Sequence, residues 1–163
     1  MMDVATSLLP PPAPMKLRHL LIVTTATLAP MLSAQTPETP PAPKPPLVST
    51  VFDWTKLAVT PIPNGERRFV FDGPTATVDL LHCHVTTLAP GQVSGQPSLH
   101  LQEEIIIVKE GTVEVTVDGR VETAGPGSVI FFAARATTRL RNATDQPATY
   151  YVIYFYTPKT PKE

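Results

Sequence analysis

The sequence predicts an all-β domain, and three features of the chain from Leu47 onward carry that expectation. Apolar and β-branched residues come in short runs, turn residues break those runs at even intervals, and no stretch of useful length repeats with a helical period. A strand carrying His82, Cys83 and His84 ends at the turn Leu88-Ala89-Pro90-Gly91, and a polar loop runs from there to Pro97. Residues 103–110 read as a continuously buried strand that turns at Gly111. Residues 112–118, TVEVTVD, alternate strictly with Val113, Val115 and Val117 on one face, and Asp118-Gly119 is a two-residue hairpin signal. Ala124-Gly125-Pro126-Gly127 is the next turn, followed by strands over residues 128–133, 137–142 and 148–157. Evenly spaced strands with Gly and Pro turns leave a sandwich, or a small barrel or jelly roll.

What precedes the domain reads differently. Of the 20 prolines in 163 residues, eleven lie at or before Pro46, so the foldable part starts near Leu47. Met15-Lys16-Leu17-Arg18-His19 is a basic segment followed by an apolar run to Leu32 and a small residue, Ala34, before Gln35. That pattern predicts a secretory signal peptide over residues 15–34, too short for a lasting membrane span. Residues 1–14 put prolines ahead of the basic region, so translation is expected to begin at Met15. Residues 35–46 read as an extended Pro-rich linker, residues 47–157 as the β-domain and residues 158–163 as a tail. Gln35 offers no thiol for a lipid, so the cleaved protein is expected to be secreted or periplasmic, free of the membrane.

Composition excludes several classes of partner and site. Apolar residues make up 42% and charged residues 17%, as in a globular domain rather than a disordered one. The 13 Lys plus Arg against 14 Asp plus Glu leave a net charge of −1, with no basic field to hold nucleic acid. Cys83, the only cysteine, excludes an intramolecular disulfide and a zinc site built on paired cysteines. Between His82 and His84 it reads as a small buried hydrophobe facing away from them.

The segment from Ser98 to Gly111, SLHLQEEIIIVKEG, resembles the first motif of the cupin superfamily: a His, one residue, a second His, three or four residues, a Glu, six residues and a Gly. His100 matches the second His, Glu104 the Glu and Gly111 the Gly. The second motif runs from Gly125 to Asn142, with Gly127 at the turn glycine and Asn142 at the terminal Asn. HVTTLAPG, EEIIIVKEGTVEV, GPGSVIFF and QPATYYVIY are similar to wording in small exported bacterial single-domain cupins. The resemblance implies a double-stranded β-helix, or jelly-roll barrel, and a metal held by three His and one Glu. Two of those positions depart: the first His is Ser98 here, and the His of the second motif falls on Thr138.

Strand parity places Ser98, His100, Gln102 and Glu104 on one face if the segment stays extended, with Thr138, Leu140 and Asn142 opposite. Imidazole and carboxylate suit Mn, Fe, Ni or Zn, but two protein ligands rarely hold a metal without a third, and His82 or His84 are the candidates for that role. Three readings follow. The first is a binding module that holds a small polar or anionic molecule through Ser98, His100, Gln102, Glu104, Thr138 and Asn142. The second, which the resemblance to cupins implies, is a metal-dependent dioxygenase or isomerase using His100, Glu104 and a recruited His82 or His84. The third is a structural homodimer formed through an edge strand, with the aromatic run from Tyr150 to Tyr156 in that role.

Overall fold

Short apolar runs separated by turns become ten strands in the computed structural model, which describes residues 44–162. The expectations for residues 1–14, 15–34 and 35–43 lie outside the described residues. The strands are β1 (Val59–Ile62), β2 (Gly65–Gly73), β3 (Leu80–Leu88), β4 (Ser98–Leu99), β5 (Glu103–Glu110), β6 (Val113–Val117), β7 (Arg120–Ala124), β8 (Val129–Phe132), β9 (Thr137–Arg141) and β10 (Ala148–Tyr156). The one helical turn among the described residues, Trp54–Lys56, is capped by the Asp53 side chain. One sheet has the order β1-β2-β3-β10-β5-β8 and the other β4-β9-β6-β7, with every neighbouring pair antiparallel. This is the expected jelly-roll barrel.

The predicted turns form for the predicted reasons. Asp118 and Gly119 both take positive φ, 46° and 82°, which is the backbone a tight β6–β7 hairpin needs to match strand twist. Gly111 sits at φ 74°, where an added Cβ would lie 2.5 Å from the carbonyl oxygen of Pro147, so this position admits no side chain. In β5 the residues alternate after all: Glu104, Ile106 and Val108 are buried, while Ile105, Ile107 and Lys109 are half-buried. The run reads as unbroken because its outer face is partly covered too, for example where Lys109 lies over the Trp54 ring at 4.3 Å.

Leu88, Ile106, Val108, Val113, Val115, Phe132, Leu140, Tyr150 and Val152 join the two sheets through one apolar core. Three expectations need correction. The aromatic run is no edge strand, because β10 lies between β3 and β5 and pairs with both. Residues 98–104 do not stay extended: β4 pairs with β9 in the small sheet, β5 pairs with β10 in the large one, and the chain bends between them at Leu101 and Gln102. Asn142 does not face a ligand. It is fully buried, its Nδ2 donates to the carbonyls of Leu88 (3.1 Å), Ala89 (3.3 Å) and Gln146 (2.7 Å), and its Oδ1 accepts from the Thr144 N–H (3.1 Å) and hydroxyl (2.7 Å). These bonds tie the end of β3 to the β9–β10 turn and use every polar atom of the side chain. They also bury the amide of the Asn142-Ala143-Thr144 glycosylation sequon.

Because an aspartate at this position has no N–H to give three carbonyls, Asn142→Asp is expected to cost about 3 kcal/mol or more of stability. Urea unfolding measures this, and a loss of less than about 1 kcal/mol would show that the tie is not needed.

Candidate functional site

Cross-strand register sorts the inward-facing side chains of the large sheet into rows. Asp72, His82, Tyr154, Glu104 and Phe132 form one row across β2, β3, β10, β5 and β8. Phe69, His84, Val152, Ile106 and Ile130 form the next, and Arg67, Thr86, Tyr150 and Val108 follow. Strict alternation would put Asp72 and Arg67 on opposite faces of β2. A bulge between Phe69 and Phe71 shifts the parity and turns Asp72 inward, opposite His82.

Part of each row, with residues of the smaller sheet, walls a cavity of about 420 Å³, whose lining includes Arg67, His84, Ser98, His100, Glu104 and Thr138. Its rim is exposed at Arg67, Ser94, Gln96 and Ser98, so it opens to solvent there. Ser98 and Thr138 reach it as direct cross-strand partners of β4 and β9. His100 is held on both sides, with Ser98 Oγ 2.9 Å from Nε2 and the Gln102 amide nitrogen 3.3 Å from Nδ1. Gln102, placed on the cavity wall by parity, instead sits behind it: it is buried, and its Oε1 accepts from the Tyr156 hydroxyl at 3.0 Å. The bend after β4 accounts for that displacement.

His82 and His84 share a face of β3 as expected, and His84 lines the same cavity as His100 and Glu104. His82 does not. It lies behind His84, stacked on Tyr154 with centroids 4.4 Å apart and planes 10° apart. Its Nδ1 is 3.0 Å from Asp72 Oδ1, and its Nε2 is 2.9 Å from His84 Nδ1. Lys44 pairs with the other Asp72 oxygen. Sequence reasoning missed Asp72 and Arg67: the bulge that aims Asp72 leaves no mark in an alternation pattern, and Arg67 stands in the run Glu66-Arg67-Arg68, which reads as surface. Cys83 faces the other way, 4% exposed, and burial pushes its thiol up to about 11, so it is no thiolate nucleophile. Arg141 pairs with Glu114 at 3.0 Å and is exposed, outside the barrel.

Burial alone pushes the Glu104 carboxyl up to about 7. Burial first, then the charges of Arg67 and His82, push His84 down to about 3, so its imidazole is neutral. The side-chain bonds from Lys44 and then His82 hold the Asp72 carboxyl below its usual range.

A metal does not fit this donor set. Ser98 and Thr138 hold two of the positions where the resemblance implies histidine, and hydroxyls contribute little to a divalent first-row site. Both nitrogens of His100, both of His82 and one of His84 are engaged by other side chains. Among the described residues no three of His, Cys, Asp and Glu come together as a metal-holding group.

A jelly-roll β-barrel with a solvent-open cavity bordering its core defines the class. Residues 84–154 match the family model described as a cupin domain. The fold is similar to an RmlC-like cupin from Shewanella frigidimarina NCIMB 400, with a TM-score of 0.56 and 15% identity over 69% of this chain and 95% of that one. It is also similar to the polyketide cyclase RemF from Streptomyces resistomycificus, with a TM-score of 0.56 and 20% identity over 66% and 80%. A third likeness is to a sugar phosphate isomerase of the cupin superfamily from Silicibacter pomeroyi DSS-3, with a TM-score of 0.52 and 23% identity over 67% and 77%. At these identities the likeness is one of fold. No curated protein matches the sequence. Residues 84–154 therefore carry a cupin domain, and the fold around them is the cupin jelly roll.

The raised Glu104 gives a pH test. Between about pH 4.5 and 7 the unfolded carboxyl has ionised while the folded one keeps its proton, so the folded state binds more protons and stability falls as pH rises, with the full penalty present above 7. Glu104→Gln is expected to remove a penalty on the order of 3 kcal/mol at about pH 8 and to change little near pH 4. Equal stabilisation at both pH values would contradict the assignment.

Proposed function

We propose that this protein is exported and that its cupin barrel holds a small polar or anionic molecule without a protein-bound metal. The observation that carries this reading is a cavity of small-molecule size in which hydrogen-bonding groups and a single cationic side chain, Arg67, stand among apolar ones such as Ile106, Leu140 and Val152. Ser98, Thr138 and His100 offer donors and acceptors, and Glu104 with its proton on donates one hydrogen bond more. Arg67 presents a guanidinium at the open rim, matched to a carboxylate or similar anion. The isomerase and cyclase among the structural neighbours support a small-molecule role at the level of fold only, since one barrel hosts many activities.

Matched carboxylic acids and their amides, screened by thermal shift at pH 6, test this. The acids are expected to raise Tm, the amides are not, and Arg67→Gln is expected to erase the difference by removing the cation. Amides as effective as acids would sink the anion reading.

We also propose a homodimer, formed by a different surface from the aromatic run. On the outer face of the large sheet Val129 is 67% and Phe131 61% exposed on edge strand β8, beside half-buried Ile105 and Ile107 on β5. A second copy laid on this face would cover all four. Sedimentation is expected to give a dimer for the parent and a folded monomer for Phe131→Glu; a monomeric parent at about 100 μM would refute the proposal.

A further inference from the structure

We propose that Asp72, His82 and His84 form a proton relay whose inner end, His84 Nε2, is a base for the molecule held in the cavity. Two short bonds in series carry it, Asp72 Oδ1 to His82 Nδ1 at 3.0 Å and His82 Nε2 to His84 Nδ1 at 2.9 Å. A carboxylate accepts only, so Asp72 sets the proton of a neutral His82 on Nδ1 and leaves its Nε2 as an acceptor. That acceptor takes the Nδ1–H of His84. The nitrogen of His84 left for the cavity is then Nε2, with its lone pair free, while both nitrogens of His100 are already occupied. Lys44 anchors the outer end and Tyr154 clamps the middle ring. Simple packing does not call for three titratable groups in line, nor for a bulge that aims one of them.

The inference rests on the reading of the cavity as the ligand site and deepens it. A ligand O–H, or a C–H beside a carbonyl, gives its proton to His84 Nε2, and the bonding pair stays on the ligand as an oxyanion or enolate. His84 Nδ1 passes its own proton to His82 Nε2. His84 ends neutral with its hydrogen on Nε2, and His82 ends as an imidazolium with Nδ1–H on the Asp72 carboxylate. The reverse transfers return the proton. Burial and the charge of Arg67 make a positive His84 unfavourable, and the relay avoids that state by moving the charge to the ring beside the carboxylate. The ligand class is a small hydroxy or oxo acid, with its carboxylate at Arg67 and its acidic hydrogen at His84. Asp72 and His82 are positioning residues; His84 is the catalytic one.

Nitrogen-15 NMR of the histidine rings in the ligand-free full chain at pH 8.5 reads the relay directly. The expected result is Nδ1–H on both rings and an unprotonated Nε2 on His84. In Asp72→Asn, Lys44 retains the amide oxygen, so the amide N–H₂ faces His82; the bond order then inverts and the hydrogen of His84 moves to Nε2. In His82→Phe, which keeps a ring against Tyr154, His84 loses its fixed tautomer and shows both. A wild-type His84 with its hydrogen on Nε2 would overturn the proposal, and so would a His84 tautomer unchanged in both variants. Since these spectra need no ligand, failure here is separate from failure of the acid and amide comparison.

Discussion

Leu88, Val108, Val113, Leu140 and Tyr150 fill the space where the six-stranded and four-stranded sheets meet, and each is 4% exposed or less. Ile106, Leu140, Tyr150 and Val152 of the same core also border the cavity, so apolar and polar groups meet at its wall. Burying a Leu or Val side chain stabilises by about 1.5–3 kcal/mol, whereas a buried polar group costs unless it is hydrogen-bonded. The polar groups therefore follow two rules. Asn142, outside the cavity lining, is saturated by backbone and Thr144 atoms, while His84, Ser98, His100 and Glu104 line a space that solvent or a ligand can enter.

The same two sheets set the chemistry of that cavity by register. β10, paired on both edges, carries Tyr150, Val152 and Tyr154 inward and so spaces the β3 histidines from Glu104 on β5. The hairpin partner β2 brings Arg67 to the rim and, through its bulge, Asp72 behind His82. One extra residue in a strand thus turns an aspartate inward as the outer end of a half-buried hydrogen-bonded chain.

Charge in the cavity is sparse by construction. His84 stays neutral, Glu104 keeps its proton up to about 7, and the fixed positive charge stands at the rim on Arg67. A small anion entering such a site meets little like charge in acid or neutral solution. Serine and threonine at positions 98 and 138 keep the wall hydrogen-bonding but put no imidazole at the two positions where the resemblance implies one.

The all-β class, the strand limits of β5, β6 and β10 to within a residue, the Asp118-Gly119 hairpin and the cupin motifs were legible in the sequence, because they depend on local periodicity and turn chemistry. So was the gathering of Ser98, His100, Glu104 and Thr138 at one cavity, which follows from motif spacing. Gln102 and Asn142 were misplaced because parity holds only while a strand continues, and the chain bends at Leu101 and Gln102 while Asn142 lies just past the end of β9. The relay was invisible for a related reason. Asp72 and His82 are ten residues apart in sequence, and only the bulge in β2 and its pairing with β3 bring a carboxylate oxygen to within 3.0 Å of the ring. Sequence determined which segments are strands and which residues carry chemistry. Tertiary structure decided which of them meet, because register and bulges are settled by pairing between distant strands and leave almost no local trace.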